Sequence, residues 1–176
     1  HMTDHAANKR AVALNLRRLF TAPVGDLPRV VAEAYAPDAR LFAFHPVNDQ
    51  AGVGAITDEL WLPLRQSFPD LERRDQIVVS GSYQDKDFVC AMSFLQGTFV
   101  ADWVGIPATG EIVTLRCCEI NQVSEGRIIE SHVLIDTLDV MRQADVWPIA
   151  PSLGTEAPWQ TPADQRGVDL DAVDHD

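Results

Sequence analysis

Asp136, His132, His45, Arg116 and Glu119 are the residues of this 176-residue chain whose types and spacing best suit chemistry. A carboxylate or imidazole placed beside a substrate can take a proton from a carbon next to a carbonyl and return it elsewhere. An arginine, histidine or amide donor nearby can hold the negative oxygen that results. Asp136 follows the strand-like run Arg127 to Ile135 and opens Asp136-Thr137-Leu138-Asp139. It therefore has two readings: a helix N-cap, which would satisfy orphan backbone donors, or a general acid/base in a pocket.

Strict alternation puts Ile128, Glu130, His132, Leu134 and Asp136 on one face of that run. Ile129, Ser131, Val133 and Ile135 take the other, which suits packing. The first face carries three ionisable groups and is either solvent-exposed or, in a sheet rolled around a pocket, the lining of a polar cavity on the concave side. His132 and Asp136 would stand about 13 Å apart along the strand, too far for a hydrogen bond but able to meet opposite ends of one substrate. A single strand histidine is also a common structural residue. His45, in Phe44-His45-Pro46-Val47-Asn48-Asp49, is either a turn residue or a donor at a pocket mouth. Arg116 and Glu119 fall on opposite faces of their strand unless a bulge joins them. Two charges in so apolar a run must be paired or functional. Gln122 could face inward as a neutral donor, and Trp103, Phe99 and Trp61 are candidate pocket walls.

The elements that must position these groups read as α+β. Val12, Leu16, Leu19 and Phe20 form the apolar stripe of a first helix capped by Thr3 or Asp4. A second helix starts at Asp26 with Pro28 in its first turn and ends at Tyr35-Ala36-Pro37. A short strand, Ala39 to His45, precedes a third helix, Val53 to Phe68, which Pro63 should kink or break. From Leu71 the period becomes two. The expected strands are Arg74 to Tyr83, Phe88 to Asp102, Glu111 to Val123 and Arg127 to Ile135, followed by a last helix from Asp136 to Ala144. Helices first and a strand meander after them give a curved, mostly antiparallel sheet with about three helices packed on it.

Composition narrows the partners. Formal charge is −12, from 14 basic and 26 acidic residues, which disfavours nucleic acid and anionic membrane surfaces. Without an apolar run long enough to span a bilayer or a visible signal peptide, the expected location is cytoplasmic. Cys90, Cys117 and Cys118 form neither a disulfide framework nor a C-x-x-C pair. No phosphate loop, nucleophile elbow or metal-ligand cluster stands in the sequence, so no cofactor or metal is expected. His1-Met2 reads as an expression-tag remnant, residues 3–146 as one domain, and 147–176 as an extended Pro-rich arm with a mobile acidic end. Trp147 and Trp159 could anchor that arm on its own domain or on a partner subunit.

Several runs carry a family resemblance. Gly97-Thr98-Phe99 is followed by Trp103-Val104-Gly105-Ile106-Pro107-Ala108-Thr109-Gly110, then by Gly126-Arg127-Ile128-Ile129-Glu130, Asp136 and Met141-Arg142-Gln143-Ala144. With His45-Pro46-Val47-Asn48-Asp49 and Arg116-Cys117-Cys118-Glu119, this order resembles the SnoaL-like polyketide cyclase (ester cyclase) family of the nuclear-transport-factor-2-like superfamily, over residues 8–147. The resemblance implies a cone-shaped α+β barrel with a buried pocket, acid–base chemistry without metal or cofactor, and a homodimer. It implies Asp136 as the acid–base aspartate, with His45, Gln122 or Arg116 stabilising an enolate and Glu130 among the pocket residues. His132 is a departure, because members often carry an aromatic residue near that position. The implied substrate is a small apolar carbonyl compound, polyketide-like or a keto ester, closed by an aldol-type cyclisation. The alternatives are a hydrolase or isomerase in the same pocket, of the kind that opens epoxides, and a non-catalytic small-ligand or scaffold module.

Overall fold

A computed structural model describes residues 4–150, 153–155, 168 and 170–171. Helix α1 (His5–Thr21) is capped by Asp4, whose carboxylate accepts from the Ala7 amide at 2.9 Å. Helix α2 (Leu27–Ala34) passes directly into strand β1 (Tyr35–Ala43), which begins earlier than the sequence pattern suggests. A three-residue edge strand, β2 (Asp49–Ala51), was not anticipated. The expected third helix is divided: α3 (Val53–Ile56), a π-helical turn (Thr57–Trp61), and α4 (Leu62–Ser67). Pro63 has no amide hydrogen to close the ordinary α turn behind it, and the wider turn falls just before it.

The strands β3 (Glu72–Tyr83), β4 (Lys86–Thr98), β5 (Ile112–Ser124) and β6 (Arg127–Ile135) form an antiparallel meander, and α5 (Thr137–Gln143) ends the described domain. Spatial order is β2-β1-β6-β5-β4-β3, a six-stranded open sheet in which β1 runs parallel to β6. Two tight turns set the register of the meander. Gln84 and Asp85 have φ of 50° and 59° between paired Tyr83 and Lys86; Glu125 and Gly126 have φ of 50° and 75° between paired Ser124 and Arg127. Both positive-φ pairs match the twist of the flanking strands.

Helix α1 packs on β3 and β4, and α2 on β1 and β6, so the helices cover one face of the sheet. That face holds the core: Leu41, Val78, Val89, Leu95, Leu115, Val133 and Ile135 meet Val12, Leu16, Leu19, Leu27 and Val31. The outer face leaves Val79, Ile120 and Leu134 exposed. In the arm, Trp147 and Ile149 are exposed, Val168 and Leu170 pack on the core, and Asp171 pairs with Arg10 of α1. Trp159 and the acidic end from 172 onward lie outside the described residues. Among the described residues, no helix is long and apolar enough to cross a membrane.

Gly97 of β4 lies against the turn before β3. A Cβ there would meet Asp70 Oδ1 at 3.0 Å and Leu71 Cα at 3.1 Å. Asp70 cannot yield easily, because its carboxylate accepts from the Thr98 amide at 2.7 Å and the Thr98 hydroxyl at 2.6 Å. These bonds also hold its carboxyl below the ordinary aspartate range. Gly97→Ala is expected to destabilise the protein by about 1–3 kcal/mol, read from the urea unfolding midpoint.

Candidate functional site

The sequence-named residues divide between the two faces of the sheet. On β6 the covered face is Ile128, Ser131, Val133 and Ile135; a register shift opposite Gln122 and Val123 leaves Ile129 without a cross-strand partner and moves Ile128 across. The face carrying the ionisable groups is therefore the outer, solvent-exposed one, and the face suited to packing is the concave one. The cause is the helices, which cover the apolar side and leave Glu130, His132 and Leu134 to solvent. His132 stacks on Phe42 at 4.8 Å, and its Nε2 lies 3.0 Å from Glu130 Oε1. Gln122 sits opposite Glu130 in the register, on the outer face and not inward.

Asp136 fulfils the cap reading. Its Oδ1 accepts from the Asp139 amide at 3.0 Å, starting α5, and its Oδ2 lies 2.8 Å from Arg116 Nη2. Gln143 docks the other end of α5, bonding the Thr114 amide at 3.0 Å and the Thr114 carbonyl at 2.6 Å. Asp136 and Arg116 also line an open cleft of about 410 Å³ with Phe44, His45, Cys118 and Leu138. The cleft brings Asp136, Arg116 and His45 together and leaves His132 out. Asp136→Ala removes both the cap and the ion pair and is expected to cost about 1–2 kcal/mol, measured by thermal or urea unfolding.

Arg116 and Glu119 do not pair with each other. The β4–β5 register runs unbroken through both residues, so alternation holds and they point to opposite faces. Glu119 enters the interior, its side chain 0% exposed, and Arg73 of β3 meets it with Nη2 2.6 Å from Oε2. The Arg73 Nε donates to Asp75 at 2.8 Å, and Arg17 of α1 reaches the other Asp75 oxygen at 3.0 Å. Beside them Ser131 donates to Asn121 at 2.6 Å, and Trp61 donates its indole N–H to the Tyr35 hydroxyl at 3.2 Å. A bulge between Asp75 and Ile77 keeps Arg73 and Asp75 on the same face as Val78 and Ser80.

This buried patch is unfinished. Arg73 Nη1, Glu119 Oε1 and Asn121 Nδ2 have no hydrogen-bond partner, while the Ser93 hydroxyl meets the Cys117 thiol. Native interiors leave few such atoms, and each calls for an explanation. The electrostatics are those of a dry site. Burial alone would lower the Arg73 pKa, but Glu119 and Asp75 outweigh it and raise it well above the ordinary arginine value. Burial, then the charge of Glu119, pushes the Tyr35 hydroxyl up, and the same two causes raise the Cys117 thiol. Both groups keep their protons at neutral pH.

Of the proposed walls, Trp61 roofs this interior with its ring edge-on to Phe20 at 5.7 Å. Phe99 and Trp103 are buried instead in an aromatic cluster with Phe68, whose ring centroids lie 4.7 Å from Phe99 and 6.0 Å from Trp103. The sequence reading named Glu119 but missed Arg73, Asp75, Ser93, Asn121 and Tyr35. A usable signal was present: Cys117, Glu119 and Asn121 continue the inward alternation of Val113 and Leu115, so a polar run interrupts an apolar face. Among the described residues no group of three or more His, Cys, Asp or Glu is arranged to hold a metal ion.

A curved six-stranded sheet covered by helices on one face, with polar groups set into that covered face, defines the α+β class of this chain. This chain belongs to the SnoaL-like polyketide cyclase family, whose sequence model matches residues 25–144. Solved structures agree in fold. IdmH of Streptomyces antibioticus, assigned as a polyketide cyclase, is 23% identical with a TM-score of 0.63, covering 78% of this chain and 99% of its own. A protein of Jannaschia sp. CCS1, assigned as a SnoaL-like polyketide cyclase, is 22% identical with a TM-score of 0.62, covering 80% and 94%. One from Acidithiobacillus ferrooxidans, assigned as a polyketide cyclase, is 18% identical at 0.64, covering 83% and 99%. No curated protein matches the chain.

Proposed function

We propose that the protein binds a small carbonyl compound in the interior of its sheet and acts on it by acid–base chemistry, with Glu119 as the base. The observation that supports this most is the set of three buried polar atoms, Arg73 Nη1, Glu119 Oε1 and Asn121 Nδ2, left without partners. Arg73 holds Glu119 by Oε2 and leaves Oε1 as an acceptor in dry surroundings. From there Oε1 would remove a proton α to a substrate carbonyl. Arg73 Nη1 or Asn121 Nδ2 would donate to the enolate oxygen. An aldol-type attack of that enolate on a second carbonyl gives the cyclisation suggested by the family. Asp136 suits this role less well, because both of its oxygens are engaged in holding α5.

The test is deuterium incorporation at the α carbon of a panel of neutral ketones and keto esters, followed by NMR above the buffer rate. Exchange lost in Glu119→Gln and retained in Asp136→Asn supports the interior site. The reverse pattern returns the chemistry to the cleft of Asp136, Arg116 and His45.

The second part of the proposal is a homodimer through the outer sheet face, where Val79, Ile120 and Leu134 are exposed beside half-buried Met92 and Phe94. A patch of this kind rarely stays bare in water. Leu134→Arg is expected to convert a dimer to a monomer in sedimentation velocity. A wild-type protein that sediments as a monomer overturns this part.

A further inference from the structure

We propose that the cleft on the outer face is a second ligand site, completed by the other copy of a dimer, and that it takes a neutral, largely apolar molecule carrying one N–H or O–H donor. The proposal goes beyond the interior chemistry and rests only on the dimer reading above. The cleft offers about 410 Å³ and stands open to solvent. Phe44, Leu134, Ile135 and Leu138 give it apolar walls, with Leu134 60% and Leu138 42% exposed. Arg116 and Asp136 stand among them and neutralise each other, Nη2 lying 2.8 Å from Oδ2. Asp139, 3.7 Å from the same nitrogen, is met by Arg142 at 2.7 Å. These four charges cancel; of the other lining residues only His45 and the Cys118 thiol titrate. An ion therefore gains little by entering. The Asp136 side chain is 33% exposed and holds one donor on each oxygen, so a carboxylate with four acceptor positions can still accept from a ligand.

The register of the sheet carries the cleft into the outer apolar face. Leu134 stands opposite Cys118, Cys118 opposite Met92 and Met92 opposite Ile77, one row across four strands. The next row is Val79, Cys90, Ile120 and His132. These two rows hold no carboxylate, in a chain with 26 acidic residues and a net charge of −12. Two like-charged copies meet at the lowest electrostatic cost where carboxylates are absent. A second copy seated on both rows covers Leu134 and Cys118, which are also walls of the cleft. The open groove then becomes an enclosed pocket between subunits. An apolar ligand loses more of its contact with water in a closed pocket than in an open one, and so binds the dimer more tightly. Reciprocity requires the same ligand to tighten the dimer.

The probe is N-phenyl-1-naphthylamine, a neutral molecule of apolar rings with a single N–H, whose fluorescence rises in apolar surroundings. It is titrated into the full chain, with sedimentation velocity run in parallel. Ile120→Arg, at a 50% exposed position outside the cleft, should give a monomer that binds the probe at least about fivefold more weakly than wild type. Saturating probe should tighten the wild-type dimer by at least about the same factor. Leu138→Asp, on α5 and outside both rows, should leave the dimer intact and abolish probe binding. A wild-type protein that sediments as a monomer overturns the dimer reading and the shared site with it. A wild-type dimer that does not bind the probe overturns the shared site alone. So does an Ile120→Arg monomer, or a Leu138→Asp dimer, that binds it as tightly as wild type.

Discussion

Glu119→Gln is expected to lower turnover at least about 100-fold, the lower end of what a positioned general base contributes. The substitution keeps the shape of the side chain and an oxygen for Arg73, but an amide cannot accept the proton. Arg73 retains Asp75 at 2.8 Å, so the interior keeps one ion pair and the variant should fold. A loss in kcat with little change in KM would mark an interaction made only as the proton moves. Asp136→Asn makes the contrast, since it keeps an oxygen for the Asp139 amide. Its activity is expected to stay within about tenfold of wild type, less than 1.4 kcal/mol in the barrier. Glu119→Gln with undiminished turnover removes Glu119 from the mechanism.

Arg73→Met is expected to cost about 3–5 kcal/mol of stability, because it leaves a fully buried carboxylate without its counter-charge. Asp75 still has Arg17, but Glu119 loses Arg73, the cation it pairs with. Replacing both partners, as in Arg73→Met with Glu119→Leu, should recover a large part of that loss, since no charge is then stranded. Urea unfolding of the two single variants and the double variant measures the coupling. A cost below about 1 kcal/mol for Arg73→Met would mean that the pair is solvated and not sealed in.

Where the sequence was readable, it was because local chemistry decides the outcome. Asp4 and Asp136 cap helices through their own side chains, and the turn at Glu125-Gly126 needs positive φ within a few residues. The meander and the α+β class follow from such local signals and from period-two patterning. The direction of the faces did not. On β6 both faces contain apolar residues, and alternation says which residues share a side but not which side the helices cover. Glu119 and Arg116 could be named as charges needing partners, yet their partners, Arg73 and Asp136, lie on other elements. A side chain 46 residues away in sequence, as Arg73 is from Glu119, leaves no mark on local spacing.

The parallel joint between β1 and β6 also bears on how the chain acquires its structure. Two of the three hairpins of the meander close through two-residue turns and the third, β4 to β5, through residues 99–111, so β3 to β6 pair between neighbours in sequence. Tyr35 meets Ile128, and Ala43 meets Val133, only after the whole intervening meander has been looped back. Closing a long loop is the slow, late kind of step. The seam between β1 and β6 is therefore expected to form after the meander, a sequence that pulse-labelled hydrogen exchange during refolding would check.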